Sequence, residues 1–241
     1  EGIKLELGVS LKKFNQLDEN KTHVSYEING KLKQIETTFL FLALGRSPFT
    51  SSLNLEKAGV ELLPTGHINT NAFQQTSCPD VYAAGDCAGP HEIVHIAIKQ
   101  GETGALHALG KKVKPINYDT LLTVVFTDPQ LAVVGLSPAQ LLKRGIKFLS
   151  ASYPFDDHGK SILMNAKYGY VTIHAEKETG RVLGAECAGK DAGELIHSLS
   201  VAVGIQATVD DLLQADWYHP TLSEIWTYPL EDLAEEIHST D

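Results

Sequence analysis

The sequence predicts an α/β first portion followed by an α+β portion, an antiparallel sheet with helices on one side. Three observations carry this expectation. Residues 39–44 form an unbroken apolar run, as in a strand buried on both faces. Residues 79–87 read as a short strand ending in a glycine turn, after which apolar positions resume at helical spacing. Beyond Asp119 the pattern turns to short alternating runs separated by turn residues, with two helical stretches among them.

The elements follow in order. Residues 3–7, 24–28 and 32–35 alternate as antiparallel strands, and Asn29-Gly30 supplies a hairpin turn. The apolar run 39–44 is the next strand, and 68–70 and 81–84 two more. Residues 93–109, rich in alanine, form a helix. In the last portion, 121–126 and 131–134 read as strands around Asp128-Pro129, 138–143 as a short helix and 148–153 as a strand. A hairpin of 168–175 and 182–188 then precedes a helix over 192–203. The stripe Leu230, Leu233, Ala234 and Ile237 predicts a final helix, which Pro229 should break or kink.

Composition narrows the functions. The 241 residues suffice for two units with real cores, and 43% hydrophobic content is ordinary for a globular chain. A formal net charge of -10 argues against nucleic acid or an anionic membrane as partner. Three cysteines, no signal sequence and no apolar run of bilayer length predict a reducing, cytoplasmic setting. No metal-ligand cluster is evident.

Two segments carry candidate chemistry. Tyr218-His219-Pro220-Thr221-Leu222-Ser223-Glu224 places a histidine and a carboxylate five residues apart across a proline turn. Pro220 pins the chain at the mouth of a helix, Thr221 or Ser223 can cap it, and Glu224 can reach back to the imidazole. A carboxylate on one ring nitrogen fixes the tautomer and raises the basicity of the other, as a thiol-deprotonating base requires. The alternative is a surface histidine beside a helix cap. In the second segment, Gly85-Asp86 stands at the carboxyl end of a strand, where open α/β sheets bind ligands. An ionised Asp86 only accepts hydrogen bonds and so suits a sugar or ribityl hydroxyl better than a phosphate. The following helix aims its amides at the same space. A ligand-free Gly-Asp turn is the alternative.

Together these segments resemble the pyridine nucleotide-disulfide oxidoreductases, within them the dihydrolipoyl dehydrogenase branch. The matching pieces run in family order: 43–48, 81–86, 125–129 with Val134-Gly135, 180–193, and 219–224. The resemblance implies a partial FAD/NAD(P)-binding, Rossmann-like portion followed by an interface (dimerisation) domain of antiparallel sheet plus helices. Residues 1–45 would be a remnant of the NAD(P)-binding domain, 46–118 the later part of the FAD-binding domain, and 119–241 the interface domain. It further implies that His219 and Glu224 are catalytic, and that Gly45, Gly85, Asp86 and His95 serve the cofactor. FAD and NAD would act in the parent enzyme, dihydrolipoamide or another dithiol would be the substrate, and the protein would be a homodimer, attached to a 2-oxoacid dehydrogenase complex. The Gly-rich cofactor units and the closely spaced redox cysteines of the family do not occur among these residues, and the chain starts at Glu1 rather than Met. It is therefore expected to be the C-terminal half of such an enzyme, inactive alone and holding no cofactor firmly. Mercuric or glutathione reductase-like members, and a non-catalytic dimerisation module, are the alternatives; residues 155–161 have some likeness to the mercuric branch.

Overall fold

The computed structural model describes residues 2–239, and the chain divides into two compact units, Glu1–Val113 and Lys114–Asp241. In the first unit, β1 (Ser10–Asp18), β2 (Lys21–Ile28) and β3 (Lys31–Thr37) form an antiparallel meander in the order β1-β2-β3. The turn between β2 and β3 is the expected one, with Asn29 and Gly30 both at positive φ, 51° and 72°. The first strand differs from expectation: 3–7 has no ladder, and β1 lies further along. Register shifts between Leu11 and Lys13 and between Gln16 and Asp18 break its two-residue alternation, which is why the pattern does not mark it.

The apolar run 39–44 is also not a strand. Phe39 and Phe41 are 84% and 90% exposed, and the run joins no strand ladder among the described residues. A doubly buried strand needs neighbours on both edges and cover on both faces, and hydrophobicity alone supplies neither. Residues 68–70 and 81–84 likewise fall short of strands. They make single bridges, Leu62 with Ile68 and Gln75 with Tyr82, and isolated backbone bonds to separate segments, Ile68 N–H to Cys87 O at 2.8 Å and Ala83 N–H to Gln74 O at 3.0 Å, with no continuous ladder. Val60, Ile68, Ala83 and Ala88 still form a small buried core. The helix α1 spans Val94–Ala108, close to the expected bounds, and buries Ile96, Gln100, Thr103 and Gly104 on one face.

The second unit is the α+β sheet its sequence predicts. Strands β4 (Leu122–Val125), β5 (Gln130–Gly135), β6 (Phe148–Pro154), β7 (Tyr170–Glu176) and β8 (Val182–Gly189) are antiparallel in the order β4-β5-β8-β7-β6. The helix α2 spans Pro138–Lys143 as expected, started by Pro138 and by a reciprocal Ser137–Gln140 capping box. Helices α3 (Gly159–Leu163), α4 (Ala192–Ile205), α5 (Val209–Leu213) and α6 (Thr227–His238) complete the unit. Cross-strand register puts Ala132, Cys187 and Val171 on one face of the sheet together with Val134, Ala185 and Ile173. That face packs against Leu195, Ile196 and Leu199 of α4 and Leu230 and Leu233 of α6. On the opposite face Leu131, Val133 and Val125 are exposed, beside the polar Glu186 and Thr172.

Pro229 does not break the last helix. It is the third residue of α6, where a backbone N–H has no intrahelical acceptor and its loss costs nothing. A 3₁₀ turn, Ser223–Trp226, leads directly into this helix. Among the described residues no helix is long and apolar enough to cross a membrane, and no cluster of three or more metal-ligating side chains occurs.

Candidate functional site

The expected base lies in the second unit, at the mouth of the 3₁₀ turn. Ile225 and Trp226 are fully buried, and the Trp226 indole donates to Leu195 O at 3.1 Å, so the turn is anchored in the core. Thr221 and Glu224 cap each other: Glu224 N–H donates to Thr221 Oγ1, and Thr221 N–H donates to Glu224 Oε1, both at 3.3 Å. The Glu224 side chain, only 11% exposed, is thereby fixed and meets His219 Nδ1 with Oε2 at 2.8 Å and Oε1 at 3.1 Å.

A carboxylate only accepts, so Nδ1 carries the hydrogen in this contact and Nε2 holds the free lone pair. The His219 side chain is 79% exposed, which leaves Nε2 accessible from solvent. One of the two groups is thus sequestered and the other presented. The arrangement can take a proton from an approaching acid, or return it, without losing its orientation.

A third side chain adjoins this pair. His158 is completely buried between the 3₁₀ turn Phe155–Asp157 and α3, with Nδ1 2.8 Å from Ser161 Oγ and Nε2 3.5 Å from Glu224 Oε1. Burial pushes its pKa below the ordinary histidine value, while the Glu224 carboxylate pulls it the other way. Tyr228 stands edge-on to it, ring centres 6.0 Å apart, and stacks on Tyr153 at 3.9 Å. The Tyr153 hydroxyl donates to Asp157 at 3.0 Å, and its pKa is pushed up to about 12, by burial first and this carboxylate second.

The expected cofactor residues lie in the first unit. Gly85 adopts φ 79°, a conformation that favours glycine, at the start of the turn before α1. Gln100 clamps this turn from the buried face of α1: its Oε1 accepts the Gly85 N–H at 2.6 Å and its Nε2 donates to Gly89 O at 2.8 Å. Asp86 is exposed, with Arg46 3.6 Å from its Oδ2. Arg46 also lies 4.0 Å from Glu92, whose other oxygen is 3.4 Å from His67 Nε2. His95 sits half-buried in the first turn of α1, and Gly45 lies in the exposed, ladder-free segment at φ 87°. The N-cap of α1, Ile93, offers no side-chain cap, and its carbonyl accepts the Ile96 and Ala97 N–H groups at 3.1 and 2.9 Å.

Sequence reading missed Gln100 and His158 as site-forming residues. Gln100 has a signal in retrospect, a polar residue on the apolar stripe Ile96, Gln100, Gly104. His158 has none, because it lies far along the chain from Glu224 and only the fold of β6 into α3 brings them together. The three cysteines are free thiols; Cys187 is buried in the sheet, which pushes its pKa up to about 12, so it is an inert core residue.

Residues 121–229 match the family described as pyridine nucleotide-disulphide oxidoreductase, dimerisation domain, and residues 1–101 match pyridine nucleotide-disulphide oxidoreductase. The chain belongs to this family. Curated relatives include dihydrolipoyl dehydrogenase of Bacillus subtilis, 33% identical over 84% of this chain and 43% of the relative. The human mitochondrial enzyme of the same name is 34% identical over 93% of this chain and 44% of the relative, and that of Thermus scotoductus 35% over 99% and 50%. The chain thus spans about half the length of the curated relatives it matches. Among solved structures, LpdA from Mycobacterium tuberculosis superimposes with a TM-score of 0.87 at 28% identity, covering 96% of this chain and 50% of that one. RclA from Escherichia coli, described as an HOCl-induced flavoprotein disulfide reductase, superimposes at 0.78 over 89% of this chain and 48% of that one. At 23% identity it shares the fold. The pyridine nucleotide-disulfide oxidoreductase fold, with a Rossmann-like portion and a sheet-plus-helices dimerisation domain, is therefore the one the sequence predicts, and the family's members are FAD- and NAD(P)-dependent enzymes.

Proposed function

We infer that the whole protein is an FAD-dependent, dihydrolipoyl dehydrogenase-like oxidoreductase, and that His219 is its thiol base. The observation that carries this reading is the 2.8 Å contact from buried Glu224 to His219 Nδ1, which leaves Nε2 of a 79% exposed ring as the acceptor. In this role Nε2 removes the proton of a dithiol such as dihydrolipoamide, since the thiolate is the nucleophile in disulfide exchange. Glu224 offsets the charge that develops on the imidazole and holds the tautomer. In the reverse direction the same nitrogen returns the proton to the leaving thiolate.

Support for cofactor binding comes from the first unit. The Gly85 turn and the Asp86 carboxylate, at the positive end of the α1 dipole, form a polar edge that fits a hydroxyl-bearing dinucleotide such as FAD. When bound, the flavin supplies two-electron transfer between the dithiol and NAD. Asp86 accepts from ribityl or ribose hydroxyls, Gln100 holds the turn, and His95 borders the same helix start. Residues 1–45, closing at Gly45, are assigned to the NAD(P)-binding domain, 46–118 to the FAD-binding domain and 119–241 to the interface domain. The exposed Phe39, Phe41 and Leu44 would then be covered in the whole protein. The uncovered sheet face with Leu131 and Val133 is assigned to a homodimer. A reducing cytoplasm, with a 2-oxoacid dehydrogenase complex as partner, suits three unpaired thiols and dithiol chemistry. The 241-residue chain alone lacks a closely spaced cysteine pair and is predicted to be inactive in turnover.

The test is His219→Gln in the whole flavoprotein. NAD-linked dithiol oxidation should fall at least about 10²-fold, the usual contribution of a general base, with flavin content unchanged. Unaltered turnover would reject the assignment.

A further inference from the structure

The Glu224 carboxylate has a second imidazole behind it, and this neighbour has an unusual environment. His158 is 0% exposed, yet its Nε2 has no hydrogen-bond partner of good geometry. A buried N–H without a partner is costly, and native structures keep few of them. The atom it approaches is Glu224 Oε1, at 3.5 Å, on the carboxylate that holds His219.

The contacts of the ring fix its protonation. The groups around it are Glu224 and His219 on the 3₁₀ turn side, Tyr228 of α6 edge-on, and Ser161 of α3, with Asp157 engaged by Tyr153. A carboxylate cannot donate, so Nε2 facing it carries a hydrogen. The interior keeps the ring neutral, and a neutral imidazole has one N–H only. Nδ1 therefore accepts the Ser161 hydroxyl at 2.8 Å. Ser161 is itself buried, so this tautomer is fixed from behind.

We propose that His158 is a positioning residue for the base: its Nε2–H, directed by Ser161, fixes the rotation of the Glu224 carboxylate so that Oε2 stays on His219 Nδ1. This rests on the assignment of the His219–Glu224 pair in the preceding section. Four groups then act in sequence, Ser161 to His158 to Glu224 to His219, and only the last is exposed. The neutral His158 donor lets the carboxylate be held at Oε1 without a second positive charge beside His219.

The experiment is ¹⁵N NMR of the imidazoles in the histidine-labelled 241-residue chain, with the His219 signals assigned by their loss in His219→Gln. In the parent chain His219 should be protonated at Nδ1 and His158 at Nε2. His158→Phe should shift His219 toward the Nε2–H form that free histidine prefers, and His158→Gln, whose amide donates from a similar reach, should restore Nδ1–H. Retention of Nδ1–H on His219 in His158→Phe overturns the proposal. So does its loss in both variants, which would make His158 packing alone. Should neither variant fold, the parent spectrum decides, because a His158 protonated at Nδ1 cannot donate to Glu224. A parent His219 lacking Nδ1–H would instead remove the base assignment itself, leaving no pair for His158 to serve.

Discussion

A carboxylate orients an imidazole only if it is itself held, and at residue scale the structure supplies that hold from several sides. Glu224 is capped by Thr221, carried on a turn whose Trp226 is bonded into the core, and approached by His158. The short-range part of this arrangement was legible in the sequence, because proline, cap residue and carboxylate lie within one turn of the histidine. His158 was not, since nothing local distinguishes a histidine that the fold will bury against a distant carboxylate. Gln100 presents the same limit in the first unit. Replacing it with leucine leaves the Gly85 N–H and the Gly89 carbonyl without their partner in a buried setting. Gln100→Leu should lower unfolding stability by about 1–3 kcal/mol for the orphaned groups, measured by urea titration, and should loosen flavin binding in the whole protein. Unchanged stability would mean that the turn is held by other contacts.

Among elements, the contrast lies between those specified by their own residues and those that depend on neighbours. The helices α1 and α2 start and stop close to the predicted bounds, α2 because its capping box and N-terminal proline are local signals. The hairpin of β7 and β8 is equally local. By contrast, 39–44 reads as a buried strand and is exposed coil in this chain, because pairing is a property of the sheet and not of the run. Pro229 misled in the opposite direction: its meaning depends on where the helix begins, and the preceding 3₁₀ turn moves that point. The segment that carries His158 depends on a close approach in β8. A Cβ on Gly189 would lie 2.5 Å from Phe155 Cζ, and Phe155 is fully buried just before His158. Gly189→Ala should therefore displace the Phe155 ring, cost about 1–3 kcal/mol by overpacking, and disturb the His158 resonance before that of distant His238. A urea midpoint equal to that of the parent would contradict this.

For the whole molecule, two buried histidines set a pH dependence whose sign can be worked out. His158 and His174 are both held below the ordinary value of 6.5, by desolvation first, with the Glu224 and Glu186 carboxylates opposing it. His174 is further bounded by Ser150, 2.8 Å from its Nδ1, and by the edge of Phe148. Between the folded and unfolded pKa the unfolded chain binds more protons, so stability rises with pH there. Their contribution is complete above 6.5 and is lost as pH falls through the folded values. The Asp119 and Asp211 carboxyls, lowered from 3.8 chiefly by hydrogen bonds from Arg144 and Thr208, act in a separate window below that value. The urea midpoint should thus fall between pH 7 and pH 5, and His174→Gln should flatten that slope; a midpoint that rises on acidification would contradict the assignment. The family was legible because its matching segments keep their order along nearly the whole chain, whereas the reaction proposed for the whole protein divides between the His219–Glu224 pair and a flavin with its dithiol. That division supplies the most direct test of the central claim, that His219 serves the dithiol step. In the whole flavoprotein, His219→Gln should lose dithiol oxidation by about 10²-fold or more while NADH oxidation by an artificial electron acceptor continues at the parent rate. Equal loss of both reactions, or of neither, would contradict the account.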